Sequence, residues 1–203
     1  MSGPDLRRQL ADRFRAVNGD HPMTAADDAY VSSQFVALGE LCASRGRDVD
    51  ETRRQMLDGF LPLPGYLSSD GTEMVPASLF ELTEEAGGPD RLRSWFTAHW
   101  DDPAVAGAEW EAYLSGQYVC LHTVTPGTIQ RKDRLTAAIG DAELASDVGS
   151  PRWTAALHAL VDELDRLEPA FTGYDRLRFG GPTSRDTCVD AIRARFPRPT
   201  EAP

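Results

Sequence analysis

Cysteine, lysine and long apolar runs are all scarce in this 203-residue chain. The three cysteines, Cys42, Cys120 and Cys188, are far apart and lack CxxC spacing, and their odd number argues against a closed disulfide framework. No apolar run approaches the roughly 20 residues that a membrane span requires, and the N-terminal residues lack the apolar stretch of a signal peptide. These absences predict a cytoplasmic protein with reduced thiols and no membrane association.

Basic residues are outnumbered, with 21 Lys and Arg against 32 Asp and Glu and a formal net charge of -11. Binding of a polyanion draws on clustered basic side chains, so this balance argues against nucleic acid as a partner. Lysine is almost absent, because Lys132 is the single lysine among those 21 basic residues. One lysine in an arginine-rich chain indicates a position that a guanidinium cannot serve.

Hydrophobic periodicity predicts a mainly α protein, a multi-helix bundle whose core 41% apolar residues are sufficient to fill. Capping residues and apolar spacing predict helices that begin near residues 4, 24, 50, 78, 89, 103, 128, 151 and 186. The second helix is expected to end at Gly46, and the helix from Asp102-Pro103 is expected to be the longest, running to about residue 122. The Pro and Asp-Gly punctuation of LPLPGYLSSDGTEMVP predicts a short β-hairpin between the third and fourth helices.

Two parts are predicted along the chain. Residues 1–76 form a helical module ending in the short hairpin, and residues 77–203 form a helical bundle with a C-terminal arginine-rich loop and a Pro-rich tail. Two helices followed by LPLP and an Asp-Gly hairpin resemble the helix-turn-helix and wing of MerR-type regulators, which motivates a DNA-binding or effector-sensing alternative. Residues 24–76 hold nine acids and four arginines, however, a charge of the wrong sign for binding phosphates.

Lys132 is the first candidate site residue. On a helical wheel it lies within the arc of Ile129, Leu135 and Ile139, so its amine is expected to face the core or a pocket. Desolvation lowers the pKa of a buried amine, and a neutral Lys132 could act as a base, a nucleophile or a hydrogen-bond donor to a ligand. The alternatives are a lysine that snorkels to solvent and one that pairs with a buried carboxylate.

A seam of polar and aromatic side chains along the predicted long helix is the second candidate. Trp110, Tyr113, Gln117 and Tyr118 share its apolar stripe, and buried amides and hydroxyls need hydrogen-bond partners. Neighbouring helices can supply those partners, or the side chains converge on a small molecule in an apolar pocket. In the second case Tyr113 joins Lys132 as a catalytic residue, and the other three bind substrate.

The third candidate is the glycine-containing loop at 174–186, which holds Arg176, Arg178 and Arg185. Arginine forks beside helix N-terminal amides can hold a carboxylate or a phosphate of a substrate. The glycine spacing matches neither a P-loop nor a dinucleotide fingerprint. Ion pairs with the many acids of the chain are the alternative for these arginines.

Metal and cofactor signatures are missing, since the four histidines have no HExxH or CxxC context, and neither a metal nor a cofactor is predicted. His158 and Asp162 are spaced i, i+4, but on the wheel they lie away from the face of Trp153 and Leu157. That placement predicts a solvated pair rather than a site.

Three segments carry a family resemblance: LPLPGYLSSDGTEMVP, WEAYLSGQYVCLHTVTPGTIQRKDRL and YDRLRFGGPTSRD. Over residues 24–197 they resemble actinobacterial proteins of unknown function that are labelled natural product biosynthesis proteins. The resemblance implies a setting in secondary metabolism and assigns no residue a role.

These observations motivate one preferred function and two alternatives. The preferred hypothesis is a cofactor-independent tailoring or cyclisation enzyme, or a small-molecule binder, that holds a pathway intermediate between helices. The alternatives are the MerR-like regulator and a non-catalytic partner of a biosynthetic enzyme. The partners expected are a small-molecule intermediate and, as a possible assembly, a second copy of the chain.

Overall fold

Helices dominate residues 3–198, which are the residues described by this computed structural model. Residues 199–203 of the predicted Pro-rich tail lie outside that range. The helices are α1 (Gly3–Asn18), α2 (Ala25–Gln34), α3 (Leu38–Ser44), α4 (Val49–Leu57), α5 (Glu81–Ala86), α6 (Pro89–Thr97), α7 (Pro103–Leu114), α8 (Pro126–Glu143), α9 (Pro151–Leu167), α10 (Gly173–Arg178) and α11 (Ala191–Arg195). A 3₁₀ turn (Gln117–Cys120), a π-helical turn (Arg185–Asp190) and three strands, β1 (Val36–Ala37), β2 (Tyr66–Leu67) and β3 (Glu73–Val75), complete the described elements. The prediction of a mainly helical protein with a short hairpin is confirmed.

The chain divides into two compact units, one ending at Val119 and the other beginning at Cys120. The segment 1–76, predicted as a separate module, lies within the first unit together with residues 77–119. Among residues 3–198 no helix combines the length and apolar character needed to cross a bilayer.

Several helices of the first unit begin where their capping residues predict. Thr24 caps α2 by accepting a hydrogen bond from the backbone N–H of Asp27, whose side chain in turn accepts from the backbone of Thr24. Asp102 caps α7, with Pro103 in its first turn. Ser78 does not cap α5, since that helix begins at Glu81 after an uncapped Phe80. Side-chain oxygens therefore cap α2, α4 and α7, whereas α3, α5 and α6 begin without a side-chain cap.

The sheet of the first unit corrects the prediction of one helix over 24–46. Its strands lie in the order β1-β3-β2, and both pairs are antiparallel. Phe35 is extended at the end of α2, and Val36 then pairs with Val75, so β1 separates α2 from α3. Pairing with a strand far along the sequence overrides the local helical pattern here. The predicted hairpin is present, with Tyr66 opposite Met74.

Helix α7 is shorter than predicted, because it ends at Leu114 rather than near residue 122. Gly116 adopts a positive φ of 75°, and a Cβ at this position would lie 2.6 Å from the backbone oxygen of Pro64. Glycine alone accommodates both conditions without strain, so the chain turns here and continues as the 3₁₀ turn. The longest helix of the described residues is instead α8, with 18 residues.

The second unit packs α8 against α9, and Val189 of the π-helical turn and Ile192 of α11 join the core of that pair. Thr125 rather than Thr128 caps α8, and Ser150 caps α9 as predicted. The first residues of the predicted 174–186 loop belong to α10, which is capped by Thr172. The buried core of this unit consists of Leu135, Ile139, Trp153, Leu157, Val161, Leu164, Val189 and Ile192.

Candidate functional site

Helix α8 directs Lys132 inward, as its apolar spacing predicts. Ile129, Leu135 and Ile139 are each at most 4% exposed. The Lys132 side chain, on the same arc, retains 16% exposure. The side chain therefore runs along buried apolar surface and brings its ammonium into the interior of the second unit.

A fully buried carboxylate receives that ammonium. The Nζ atom of Lys132 lies 2.9 Å from Oε1 of Glu168, and the Glu168 side chain has no exposed surface. Glu168 is the residue directly after α9, and its backbone N–H donates to the carbonyl of Leu164 at the helix end. Pairing with a buried carboxylate, one of the alternatives for Lys132, is the arrangement present in the structure.

The start of the π-helical turn supplies two further contacts to Glu168. The hydroxyl of Ser184 donates to the same oxygen, Oε1, and Nη1 of Arg185 donates to the Glu168 backbone carbonyl at 3.2 Å. The second carboxylate oxygen, Oε2, is buried and has no hydrogen-bond partner among the described residues. Buried polar atoms in proteins are almost always paired, and π-helical turns are often found at functional sites. An unpaired carboxylate oxygen beside such a turn distinguishes this place from an ordinary buried ion pair.

Cys120 completes what we call the lysine cluster: Cys120, Lys132, Glu168 and Ser184. Its thiol lies close enough to the ammonium of Lys132 for the two groups to interact electrostatically. Burial raises the pKa of the Cys120 thiol, and the nearby ammonium only partly offsets that rise. The thiol is therefore neutral at physiological pH and acts as a polar lining of the cluster rather than as a nucleophile.

The electrostatics of Lys132 correct the expectation of a neutral amine. Burial by itself lowers the pKa of Lys132, but the interactions with Cys120 and Glu168 outweigh burial, and the net pKa is raised above 10.5. Lys132 is consequently an ammonium at neutral pH. It can donate hydrogen bonds and stabilise negative charge, but it does not provide the free amine of a base or nucleophile.

The three arginines of the 174–186 segment are engaged within the chain. Arg176 donates two hydrogen bonds to Asp186, at 3.0 and 2.5 Å, and Arg185 forms an ion pair with Asp165. The guanidinium of Arg178 lies 5.5 Å from the ring centroid of Phe179. Pairing with acids, the alternative stated for this loop, holds for Arg176 and Arg185.

The aromatic seam lies in the first unit, apart in the chain from the lysine cluster of the second. Trp110 and Tyr113 are buried against Phe96, with ring centroids 5.5 and 5.0 Å from its own. Burial raises the pKa of the Tyr113 phenol, so this hydroxyl remains protonated at physiological pH.

The other two residues of the seam are less buried. Tyr118 donates to Glu109, and Gln117 begins the 3₁₀ turn. Both lie beyond the end of α7, so the prediction that all four residues share one helical stripe is wrong. Their assignment to a substrate site stays a prediction.

Sequence reasoning identified neither Glu168 nor Ser184 as a candidate site residue. One signal was available: Asp162, Asp165 and Glu168 recur every third residue, which places acids along one side of α9 and its end. In the structure Arg193 pairs with both aspartates, at 2.9 and 2.8 Å. The row of acids thus predicts that cationic side chains pair with this side of α9, but it does not predict which cation pairs with which acid.

Among residues 3–198 no group of three or more His, Cys, Asp and Glu side chains is arranged to hold a metal ion.

The prediction of a solvated His158–Asp162 pair is wrong. His158 is only 4% exposed, and its Nε2 atom lies 2.7 Å from the backbone oxygen of Phe196. Asp162 pairs with Arg193 and Arg198 instead. Packing of the C-terminal segment against α9, which the wheel does not include, buries the histidine.

Comparison with known proteins adds one relationship. No curated protein and no solved structure matches the chain. Residues 98–197 match the model of a family described as a family of unknown function (DUF6058). The matched region includes α7, the lysine cluster and the elements through α11. Over this region, therefore, the chain is similar to DUF6058.

Proposed function

We propose that the protein binds a small organic intermediate of secondary metabolism at the lysine cluster and acts on it as a cofactor-independent tailoring or cyclisation enzyme. The observation that carries the proposal is the buried Oε2 atom of Glu168, which no described residue satisfies. An unsatisfied buried acceptor costs about 1–3 kcal/mol, and a ligand that donates a hydrogen bond to it recovers that cost. The setting in secondary metabolism rests on the family resemblance of the three segments within residues 24–197.

The chemistry follows from the charges of the cluster. In this proposal Oε2 of Glu168 accepts a proton from the substrate, either from a hydroxyl or N–H group or from a carbon next to a carbonyl. The ammonium of Lys132 stabilises the negative charge that the departing proton leaves on the substrate. The proton moves between Glu168 and substrate only, so neither metal nor redox cofactor takes part. Proton transfer of this kind is sufficient for an isomerisation or a ring closure.

Ligand access is through the side of the cluster where Lys132 reaches the surface. Lys132 retains 16% exposure, whereas the Glu168 side chain retains none. A small molecule that enters here first meets the ammonium and then the carboxylate. The assignment of the other candidate residues to substrate contact stays a prediction that no contact in the structure supports. These residues are Trp110, Tyr113, Gln117, Tyr118, Arg176, Arg178 and Arg185.

Genetic complementation tests the proposal even while the substrate is unidentified. Deletion of the gene in its native host is expected to accumulate a small-molecule intermediate, measured by mass spectrometry of cell extracts. Wild-type protein is expected to restore the profile, and Glu168→Gln is not. Glu163→Gln is the matched control, because Glu163 is a partly exposed acid on α9 that pairs with Arg131. Full restoration by a folded Glu168→Gln protein would contradict the catalytic role.

A second candidate, nucleic-acid binding, is favoured by one topological observation. The first unit runs β1, α3, α4 and then the β2–β3 hairpin, with strand order β1-β3-β2, which supports a helix-turn-helix with a wing. Charge opposes it: Arg53 of α4 is paired with Glu73 and Asp50, and Arg54 is paired with Glu51. A salt-dependent gel shift with promoter DNA is the test, and absence of binding at low salt removes this candidate.

The third alternative, a non-catalytic partner of a biosynthetic enzyme, stays a hypothesis that co-purification from the native host can test.

A further inference from the structure

A groove lined by α9 residues and Arg198 lies outside the lysine cluster and has no role in the proposed function. Its volume is about 420 Å³, within the range typical of small-molecule sites. Pro151, Ala155 and Ala159 give it an apolar lining, and His158, Asp162 and Arg198 contribute polar groups. The groove thus combines small apolar residues with a few polar groups, as ligand sites do.

The protonation of His158 follows from its partner. Its Nε2 atom lies 2.7 Å from the carbonyl oxygen of Phe196, and a carbonyl oxygen only accepts hydrogen bonds. Nε2 therefore carries the proton, and in the neutral ring Nδ1 presents a lone pair. Nδ1 is buried and has no partner among the described residues, although the residue lines the groove. A ligand with an O–H or N–H group can satisfy it.

Arg198 contributes a cationic side chain to the groove. It pairs with Asp162, which Arg193 also contacts, and Arg193 pairs in addition with Asp165, so these two arginines and two acids balance in charge. These interactions lower the pKa of Asp162, first of all through the Arg198 hydrogen bond, and keep the carboxyl ionised. The Arg198 side chain is 55% exposed, and one N–H of its guanidinium is used by Asp162. Further N–H donors of this side chain can hold a carboxylate.

We propose that this groove binds a small carboxylate that also carries a hydroxyl or amino group, such as an α-hydroxy or α-amino acid with an apolar side chain. The hydroxyl or amino group donates to Nδ1 of His158, the carboxylate pairs with Arg198, and the side chain packs on Ala155 and Ala159. The site is separate from the lysine cluster, and neither proposal depends on the other.

The test uses three related probes: 3-phenyllactate, 3-phenylpropanoate, which lacks the hydroxyl, and methyl 3-phenyllactate, which lacks the carboxylate. Binding to the full-length protein is measured by NMR titration, with the ring nitrogen shifts of His158 as a local readout. Phenyllactate is expected to shift the Nδ1 resonance and to bind about tenfold more tightly than either control, a difference of about 1.4 kcal/mol. Equal binding of the three probes, or no binding of phenyllactate, overturns the proposal.

Two variants assign the contacts. Arg198→Ala is expected to abolish the preference for phenyllactate over its methyl ester, and His158→Phe to abolish the preference for phenyllactate over phenylpropanoate. Arg195→Ala is the matched control, since Arg195 is an exposed arginine of α11 that pairs with Glu143 and does not line the groove. Because Arg198 is largely exposed, its variant keeps the test decisive even where His158→Phe fails to fold. Retention of the preference for phenyllactate over its methyl ester in Arg198→Ala overturns the assigned carboxylate contact.

Discussion

At the residue scale, Lys132 shows why a single lysine can persist among arginines. Its compact ammonium has three N–H donors, and it reaches both Oε1 of Glu168 and the thiol of Cys120 inside the second unit. A guanidinium is planar and wider, and its fork matches a carboxylate in two parallel bonds. Here one carboxylate oxygen is already shared with Ser184 and the other is unpaired. The geometry therefore suits a point charge.

Removal of one partner of this buried pair is expected to be costly. Lys132→Met leaves Glu168 buried without its cationic partner, so we expect a loss of about 3 kcal/mol in the free energy of unfolding, measured by urea denaturation. The double variant Lys132→Met/Glu168→Leu is expected to lose much less, because neither charge remains. Arg131→Met, which removes an exposed pair with Glu163, is the control and should cost less than about 1 kcal/mol. A loss from Lys132→Met no larger than from this control contradicts the prediction.

The charge of Lys132 can be read directly because no other lysine contributes a signal. In protein labelled with ¹³C-lysine, the single Cε resonance is expected to titrate above 10.5, since the pKa of Lys132 is raised. A pKa raised by folding stabilises the protein fully below pH 10.5, and this stabilisation is lost as pH rises through the folded-state value. Glu168→Gln is expected to lower the titration midpoint. A midpoint below 10.5 in the wild-type protein contradicts the raised pKa of Lys132.

At the element scale, the ends of α7 and α9 determine where the candidate groups lie. Helix α7 stops before Gly116, where a left-handed residue lets the chain pass close to the backbone of Leu63 and Pro64. Helix α9 stops at Leu167, and the next residue, Glu168, turns its side chain into the interior. In both cases the specific contact comes from a residue that follows the helix rather than from the helical stripe.

Two glycine substitutions are expected to have opposite signs. Gly116→Ala requires a positive φ of 75° and a Cβ 2.6 Å from a backbone oxygen, so we expect a loss of at least about 2 kcal/mol in unfolding free energy. Gly140→Ala lies within α8 with open space around the new Cβ, and it is expected to gain about 0.5–1 kcal/mol. Thermal and urea unfolding measure both variants. A neutral Gly116→Ala contradicts the close approach.

At the scale of the whole molecule, acidic side chains form ion pairs with basic ones although the net charge is -11. Arg176 lowers the pKa of Asp186 from 3.8 to about 2 through hydrogen bonds. For Asp165, burial works against ionisation, but Arg193 and Arg185 outweigh it and the pKa is also lowered. Folding therefore depends on these carboxylates being ionised.

Stability is consequently expected to fall at acid pH. A carboxyl whose pKa is lowered by folding contributes stability above its unfolded pKa, and that contribution is lost as pH falls through the folded value. For Asp186 the window runs from about pH 4 to about pH 2. We expect the urea midpoint to decrease across this window and Asp186→Asn to decrease less steeply than wild type. Parallel curves for the two proteins contradict the assignment.

The sequence by itself determined the helical class, the hairpin and most helix starts, because these depend on neighbours within a few residues. Thr24, Asp102 and Ser150 cap their helices through atoms two or three positions away. The inward direction of Lys132 followed from the same local periodicity, since residues three and seven positions along a helix share a face. These features depend on nearby residues and are therefore independent of how the rest of the chain packs.

Tertiary structure alone decided which groups meet. Val36 became a strand because Val75 pairs with it, and His158 became buried because the segment of Phe196 packs over it. Lys132 pairs with Glu168 at the end of another helix. The pKa of Lys132 is therefore raised rather than lowered as expected, because the polar neighbours of its ammonium outweigh desolvation. Contacts between residues distant in sequence depend on how elements pack, and periodicity within one element carries no information about them.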